Sequence, residues 1–250
     1  MYYKLLIVLC CCAIVLVPAS LPASPFNQAI SLHAGYMPSL GGNLYSYEQE
    51  NTFGSATGID GINKSLTGFS TAPINRLLGA TTGVTFKLVM YDFFTARVGA
   101  NYFKSVWGGK GKTVYNDAGT NTLLECNYSF DGFDIPVTVG IIIPFYKDMK
   151  ITFSCGVAYA WGRYKNKFES DAPLAYKGEF KGSAYPLVIN TEGEYFINEK
   201  FAISTSLAYY RGTTTVIKDS KKGDGSTDYA PLDFSGYRFL LGVSYYFKPI

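Results

Sequence analysis

Through most of this chain, apolar and polar residues alternate one for one. Near the C-terminus, Tyr237, Phe239, Leu241, Val243, Tyr245 and Phe247 share one parity, and Gly236, Arg238, Leu240, Gly242, Ser244 and Tyr246 share the other. A period of two marks a β-strand, whose successive side chains point to opposite faces. Phe201, Ile203, Thr205, Leu207 and Tyr209 alternate in the same way with Ala202, Ser204, Ser206 and Ala208. So do Ile151, Phe153, Cys155, Val157, Tyr159 and Trp161 with Thr152, Ser154, Gly156, Ala158 and Ala160. Residues 30–36, 78–90, 94–102, 133–143 and 185–195 continue the pattern. It predicts about eight strands, most near the 9–11 residues of a tilted membrane strand.

The links between these segments alternate in length. Tyr91-Asp92, residues 146–149 and residues 198–200 are tight turns. Residues 38–77, 104–122, 165–181 and 212–230 are longer links rich in Gly, Ser, Thr, Asn and Asp, residues that favour turns and loops. Short turns at one end and long loops at the other describe an antiparallel up-and-down transmembrane barrel, with both termini at the short-turn, periplasmic end. A soluble eight-stranded barrel or a β-sandwich would bury the apolar face and wet the other. Here the other face is mostly Gly, Ala, Ser and Thr, which solvates poorly but suits a lumen that side chains fill. Phe94 and Tyr102, Phe153 and Trp161, Phe201 and Tyr209, and Tyr237 and Tyr245 repeat one spacing on the apolar face. Eight residues on a tilted strand rise roughly 20 Å, so these pairs can form two interfacial girdles.

Composition supports this picture. Charged residues make up 16% of the 250, against about 25% in soluble domains. Aromatics also reach 16%, and there are 26 Gly, too many for a mostly helical protein. The net charge of +3 is too small for a nucleic-acid surface. At the N-terminus, Lys4 precedes an apolar run from Leu5 to Val17. That run is shorter than the roughly 20 residues of a spanning helix, and small residues follow it. These features predict a cleaved signal peptide over residues 1–23, with cleavage after Ala19 or Ala23, and a single barrel domain over residues 24–250. Cys10, Cys11 and Cys12 fall inside the leader, and Leu9 before Cys10 argues against lipidation. Cys126 and Cys155 remain in the mature chain. They sit about 13 residues apart in strand register, roughly 40 Å, beyond the reach of a disulfide.

The chain resembles the small outer-membrane β-barrels of Gram-negative-type envelopes, the OmpX, OmpA-barrel and OmpW types, over about residues 27 to 248. The most specific element is the ending Gly242-Val243-Ser244-Tyr245-Tyr246-Phe247. Members of these families end on such a strand with a terminal Phe that the assembly machinery is thought to read. This chain adds Lys248, Pro249 and Ile250. The Leu232-Asp233 pair before the last strand is similar to the OmpW type. The resemblance implies an eight-stranded all-β barrel in the outer membrane. It implies as partners outer-membrane lipid with lipopolysaccharide-type lipids, the barrel assembly machinery, and an extracellular ligand or host surface.

Candidate chemistry is sparse. The inward parity carries His33, Lys87, Arg97, Asp134, Glu192, Glu194 and Arg238. A buried unpaired charge costs several kcal/mol, so these residues are expected to pair as a lumen polar network. A charge-lined, gated conduit would use the same residues. His33 is the only His, with Ser31 two residues away. Certain eight-stranded outer-membrane enzymes use a His with Ser or acidic partners. One His with a nearby hydroxyl lacks the oriented triad that nucleophilic catalysis needs. Gly108-Gly109-Lys110-Gly111-Lys112 has the composition of a phosphate cradle but no helix behind it, and reads as flexible loop. No cofactor motif and no metal-ligand spacing stand out. The sequence predicts a non-enzymatic surface protein acting through long extracellular loops. The loop at 38–77, with Tyr45, Tyr47 and Phe53, is the longest. The alternative is a narrow porin-like channel or transporter for small or apolar solutes.

Overall fold

The computed structural model describes residues 26–42, 76–117, 120–170, 176–214, 217–218, 229–230 and 232–247. The leader and most of the 38–77 link, with Tyr45, Tyr47 and Phe53, lie outside the described residues. The strands are β1 (Asn27–Met37), β2 (Leu78–Met90), β3 (Phe94–Trp107), β4 (Lys110–Asp117), β5 (Thr120–Tyr146) and β6 (Met149–Ser170), followed by β7 (Tyr176–Ala184), β8 (Leu187–Phe196), β9 (Phe201–Arg211), β10 (Ile217–Lys218), β11 (Tyr229–Ala230) and β12 (Gly236–Tyr246). The main sheet runs β4-β5-β3-β2-β1-β12-β9-β8-β6-β7, and β5 also pairs with β6. That last pairing closes a ring of β1, β2, β3, β5, β6, β8, β9 and β12, an eight-stranded antiparallel up-and-down barrel. Its seam joins the first and last strands, from Ala29↔Tyr246 to Tyr36↔Phe239.

The outer face of the ring is apolar. Leu241 is 68% exposed and Leu32 62%, with Ile203, Val243, Phe239 and Ile189 around them. A continuous apolar surface of this extent marks contact with a membrane or a partner. Rings mark its two edges. Phe201 and Tyr245 lie 5.1 Å apart at the short-turn end, and Tyr209 and Tyr237 lie 4.9 Å apart at the other. Phe133 stacks on Trp161 at 5.6 Å, level with Tyr102.

Two of the links read as loops are largely strand. β3 runs on to Trp107, turns at Gly108 and Gly109 (φ 87° and 72°) and continues as β4 along β5. Lys110, Gly111 and Lys112 are therefore strand residues and not a flexible loop. Likewise 165–170 belongs to β6, and 176–181 belongs to β7. Together β4, β5, β6 and β7 carry a sheet beyond the aromatic ring. The alternation changes sense there. Below the ring, Phe133, Ile135 and Val137 of β5 point out and Asp134 points in. Above it, Tyr128 and Phe130 are buried, while Asn127, Ser129 and Asp131 lie outward. β6 does the same, with Tyr159 and Trp161 outward below, then Arg163 and Lys165 outward and Tyr164 buried above. Gly132 and Gly162, paired with each other, mark the change on the two strands.

The short turns have local causes. Tyr91 and Asp92 both take positive φ (57° and 55°) between Met90 and Phe93, whose N–H donates to the Met90 carbonyl at 3.2 Å. This is the geometry of a two-residue I′ hairpin, whose twist matches that of the strands. At the short turn between β8 and β9, the Asn198 side-chain oxygen accepts from the Lys200 and Phe201 N–H groups, both at 2.9 Å, and fixes the bend.

Candidate functional site

The inward positions converge on two linked tiers of polar side chains. The lower tier forms near the short-turn end, where the register places Lys87 beside Arg97. Lys87 Nζ donates to Glu192 Oε1 at 2.5 Å and to Glu194 Oε1 at 2.7 Å. Arg97 Nη2 bonds the other oxygen of Glu192. Tyr246 donates its hydroxyl to Glu194 at 2.9 Å, and Lys87 also reaches Ser244 Oγ at 3.3 Å. Ser31 and Ser244 share a hydrogen bond of 2.8 Å. The upper tier lies four residues further along β3, about 13 Å of strand. Asp134 accepts from Arg238 Nη1 at 2.5 Å, from Asn101 Nδ2 at 2.8 Å and from the Tyr210 hydroxyl at 3.3 Å. Asn101 presents its oxygen to His33 Nε2 at 2.8 Å. Because the Asn101 amide nitrogen already faces Asp134, His33 is the donor and carries its proton on Nε2.

The structure thus brings all seven sequence-derived positions into one lumen. Lys87, Asp134, Glu192, Glu194 and Arg238 are buried, and Arg97 and His33 are half-buried. Each of the six formal charges lies in an ion pair, and three cations face three carboxylates. Parity alone did not single out Asn101, Tyr210, Tyr246 or Ser244, although all four lie on the inward parity. Their role depends on which opposite strand they reach, and that follows from barrel shear, which a sequence does not display. Small residues make the space. A Cβ on Gly83 would collide with the Asn101 side chain.

Above the upper tier the lumen becomes apolar. The Arg238 guanidinium lies 3.6 Å over the Tyr210 ring and 5.4 Å from that of Phe103. Phe103, Phe130, Tyr164, Phe180, Leu232 and Phe234 then pack together as a buried cluster. Leu232 and Phe234 come from the link before β12, which folds back into the mouth through paired bonds between Thr214 and Leu232 and one from Phe234 to Gly212. The lumen retains a cavity of about 50 Å³ lined by Ser31, His33, Arg97, Asn101, Asn190 and Glu192. That is room for a few waters and far below the several hundred Å³ of an organic ligand site.

Among the described residues, Ser31 and His33 bond to other partners and not to each other. The Ser31 hydroxyl is engaged with Ser244, and the His33 hydrogen bond goes to Asn101. No group of three His, Cys, Asp or Glu residues suited to a metal occurs among the described residues.

No protein-family model matches the chain, and no curated protein matches it in sequence. Among solved structures it is similar to the outer membrane protein OprG from Pseudomonas aeruginosa, with 12% identity and a TM-score of 0.50 over 89% of this chain and 96% of that one. The chain has the fold of a small outer-membrane β-barrel. Two further similarities are Neisserial surface protein A, at 10% identity, TM-score 0.43, 88% and 95% coverage, and a major outer membrane protein from Thermus thermophilus, at 12%, 0.44, 90% and 100%. The fold assignment rests on the first likeness and on the closed ring itself.

Proposed function

We propose that this protein is a non-enzymatic outer-membrane barrel with a sealed lumen, which presents a rigid extracellular sheet to the surroundings of the cell. The observation that carries the reading is the change in sense at Gly132 and Gly162. One continuous hairpin is apolar outside along the barrel and polar outside above the aromatic ring, as a strand crossing from hydrocarbon into water must be. The sheet of β4 to β7 is then the extracellular part, delivered to the envelope by the leader that precedes it. The neutralised ion pairs and the small cavity support a lumen that does not pass solutes. The channel reading, a conduit for small or apolar solutes, finds its support in the apolar cluster at the mouth.

Single-channel recording in planar bilayers separates the two. The wild-type barrel is expected to insert without discrete conductance. Glu192→Gln weakens the hold on both Lys87 and Arg97 and is expected to produce brief openings. Stable, reproducible conductance steps in the wild type would overturn the sealed reading in favour of the conduit.

A further inference from the structure

Directly above the aromatic ring, the outer face of the extracellular sheet is strongly basic. The last aromatic row runs Tyr102, Phe133 and Trp161 across β3, β5 and β6. Two residues higher, about 6.6 Å along the strands, the row reads Lys104, Asp131, Arg163 and Lys181. The next row reads Ser129, Lys165 and Glu179, and the one above it Lys110, Asn127 and Lys167. These three rows therefore hold six cations and two carboxylates. Both acids are engaged, Asp131 with Arg163 at 2.9 Å and Glu179 with Lys181 at 3.0 Å.

This concentration has a definite height. The headgroup layer occupies roughly 5–8 Å outside the hydrocarbon on each side of a bilayer, which is where the first basic row stands, with the second, roughly 10 Å up on tilted strands, at its outer margin. Above Tyr209 and Tyr237 on the opposite side of the barrel, Arg211 and Arg76 line a hollow together with Asp233, fewer cations than on the β3 to β7 side among the described residues. Basic side chains beside a membrane surface bind anionic headgroups, and arginine and lysine at close spacing suit phosphate oxygens.

We infer that the outward face of β3 to β7 is a docking surface for phosphate-bearing headgroups of the surrounding outer leaflet, with Lys104, Arg163, Lys165 and Lys181 as its first contacts. The inference rests on the outer-membrane reading above. It makes the barrel a one-sided organiser of its own lipid annulus, held in a preferred orientation among anionic saccharolipids.

The test uses the full barrel refolded in zwitterionic detergent, with the unfolding temperature followed by heat-modifiable gel mobility. Bisphosphorylated lipid A is titrated in, and its dephosphorylated form serves as the comparison. The wild type is expected to gain stability with the phosphorylated lipid, saturably and less in high salt. The Lys104→Gln/Lys165→Gln variant should require roughly thirtyfold more lipid, since each basic side chain at an anionic surface contributes about fivefold. Arg211→Gln should behave as the wild type. An unchanged titration in the double variant would overturn the docking surface. So would an equal stabilisation by inorganic phosphate or by a soluble sulfated glycan, which would make the face a site for free anions. Absence of any folded, heat-modifiable band in the wild type would instead overturn the barrel reading on which the inference stands.

Discussion

Replacing Asp134 by Asn should cost more stability than its size suggests. The substitution preserves shape but removes the charge that faces Arg238, a side chain 2% exposed. Asp134 takes three donors, Arg238, Asn101 and Tyr210, and the Arg238 Nε has no hydrogen-bond partner of its own among the described residues. Asp134 is thus the counter-charge to a desolvated guanidinium. Breaking a buried ion pair from one side costs about 3–5 kcal/mol. The amide oxygen of Asn can still accept from Asn101 or Tyr210, so the lower half of that range, about 3 kcal/mol, is the expected loss. The companion Asp134→Asn/Arg238→Met removes both charges and should recover most of it, leaving about 1 kcal/mol or less. The assay is reversible urea unfolding of the barrel in lipid vesicles, read by tryptophan fluorescence and by gel mobility. A loss below about 1 kcal/mol for the single variant would mean that water reaches Arg238 freely. It would refute the sealed lumen along with the magnitude.

Three further outcomes follow from other parts of the barrel. Leu241 stands midway between the Tyr237 and Tyr245 rings on the outer face, so Leu241→Arg should destabilise the barrel in vesicles by about 2–4 kcal/mol; a neutral result would argue against hydrocarbon at that face. Asp92 holds a left-handed conformation (φ 55°) in a turn that prefers Gly, and Asp92→Gly should raise stability by up to ~1 kcal/mol in the same unfolding assay. Cys155 is exposed on the outer face and unbridged, while Cys126 pairs in register with Phe168 and Gly111, about 13 residues up β5 from the Cys155 partner Val139, roughly 40 Å of strand. Thiol labelling of unreduced protein after denaturation should count two free thiols in the mature chain, and a Cys126–Cys155 bridge would contradict the β5–β6 register.

The eight barrel strands are legible because lipid and lumen impose opposite chemistry on alternate residues, as at Phe239, Leu241 and Val243 against Arg238, Gly242 and Ser244. The same rule assigns Lys87, Arg97, Asp134, Glu192, Glu194 and Arg238 to one interior. It does not reveal that Asp134 meets Arg238 and Glu192 meets Lys87. Those meetings cross the lumen and depend on how far each strand is staggered around the ring. β4 and β7 escape a reading tuned to apolar outward positions. Above the aromatic ring the apolar residues, Tyr128, Tyr164 and Phe180, have moved inside, and the outward ones, Lys165, Lys181 and Asn127, look like loop. Gly108 and Gly109 reinforce that impression, although they only bend a strand that continues.

The cross-lumen bonds also bear on the order of assembly. Lys87 to Glu192 joins β2 to β8, Asp134 to Arg238 joins β5 to β12, and Ser31 to Ser244 bridges the seam between β1 and β12. None of these can form within a single hairpin. Until β12 arrives, β1 has an unpaired edge, and Asp134 lacks the cation that neutralises it. A ring that lacks β12 therefore has the Lys87 and Arg97 bonds to Glu192 but lacks the seam bond and the ion pair of the upper tier. Loop-closure entropy is met late, by contacts distant in sequence, which is the condition for slow folding. Once β12 zips onto β1, the seam bond and the Asp134–Arg238 pair engage together. The network that fills the finished pore thus acts as the latch of a one-way closure, and unzipping the seam must break ionic contacts on the far wall before any edge is freed.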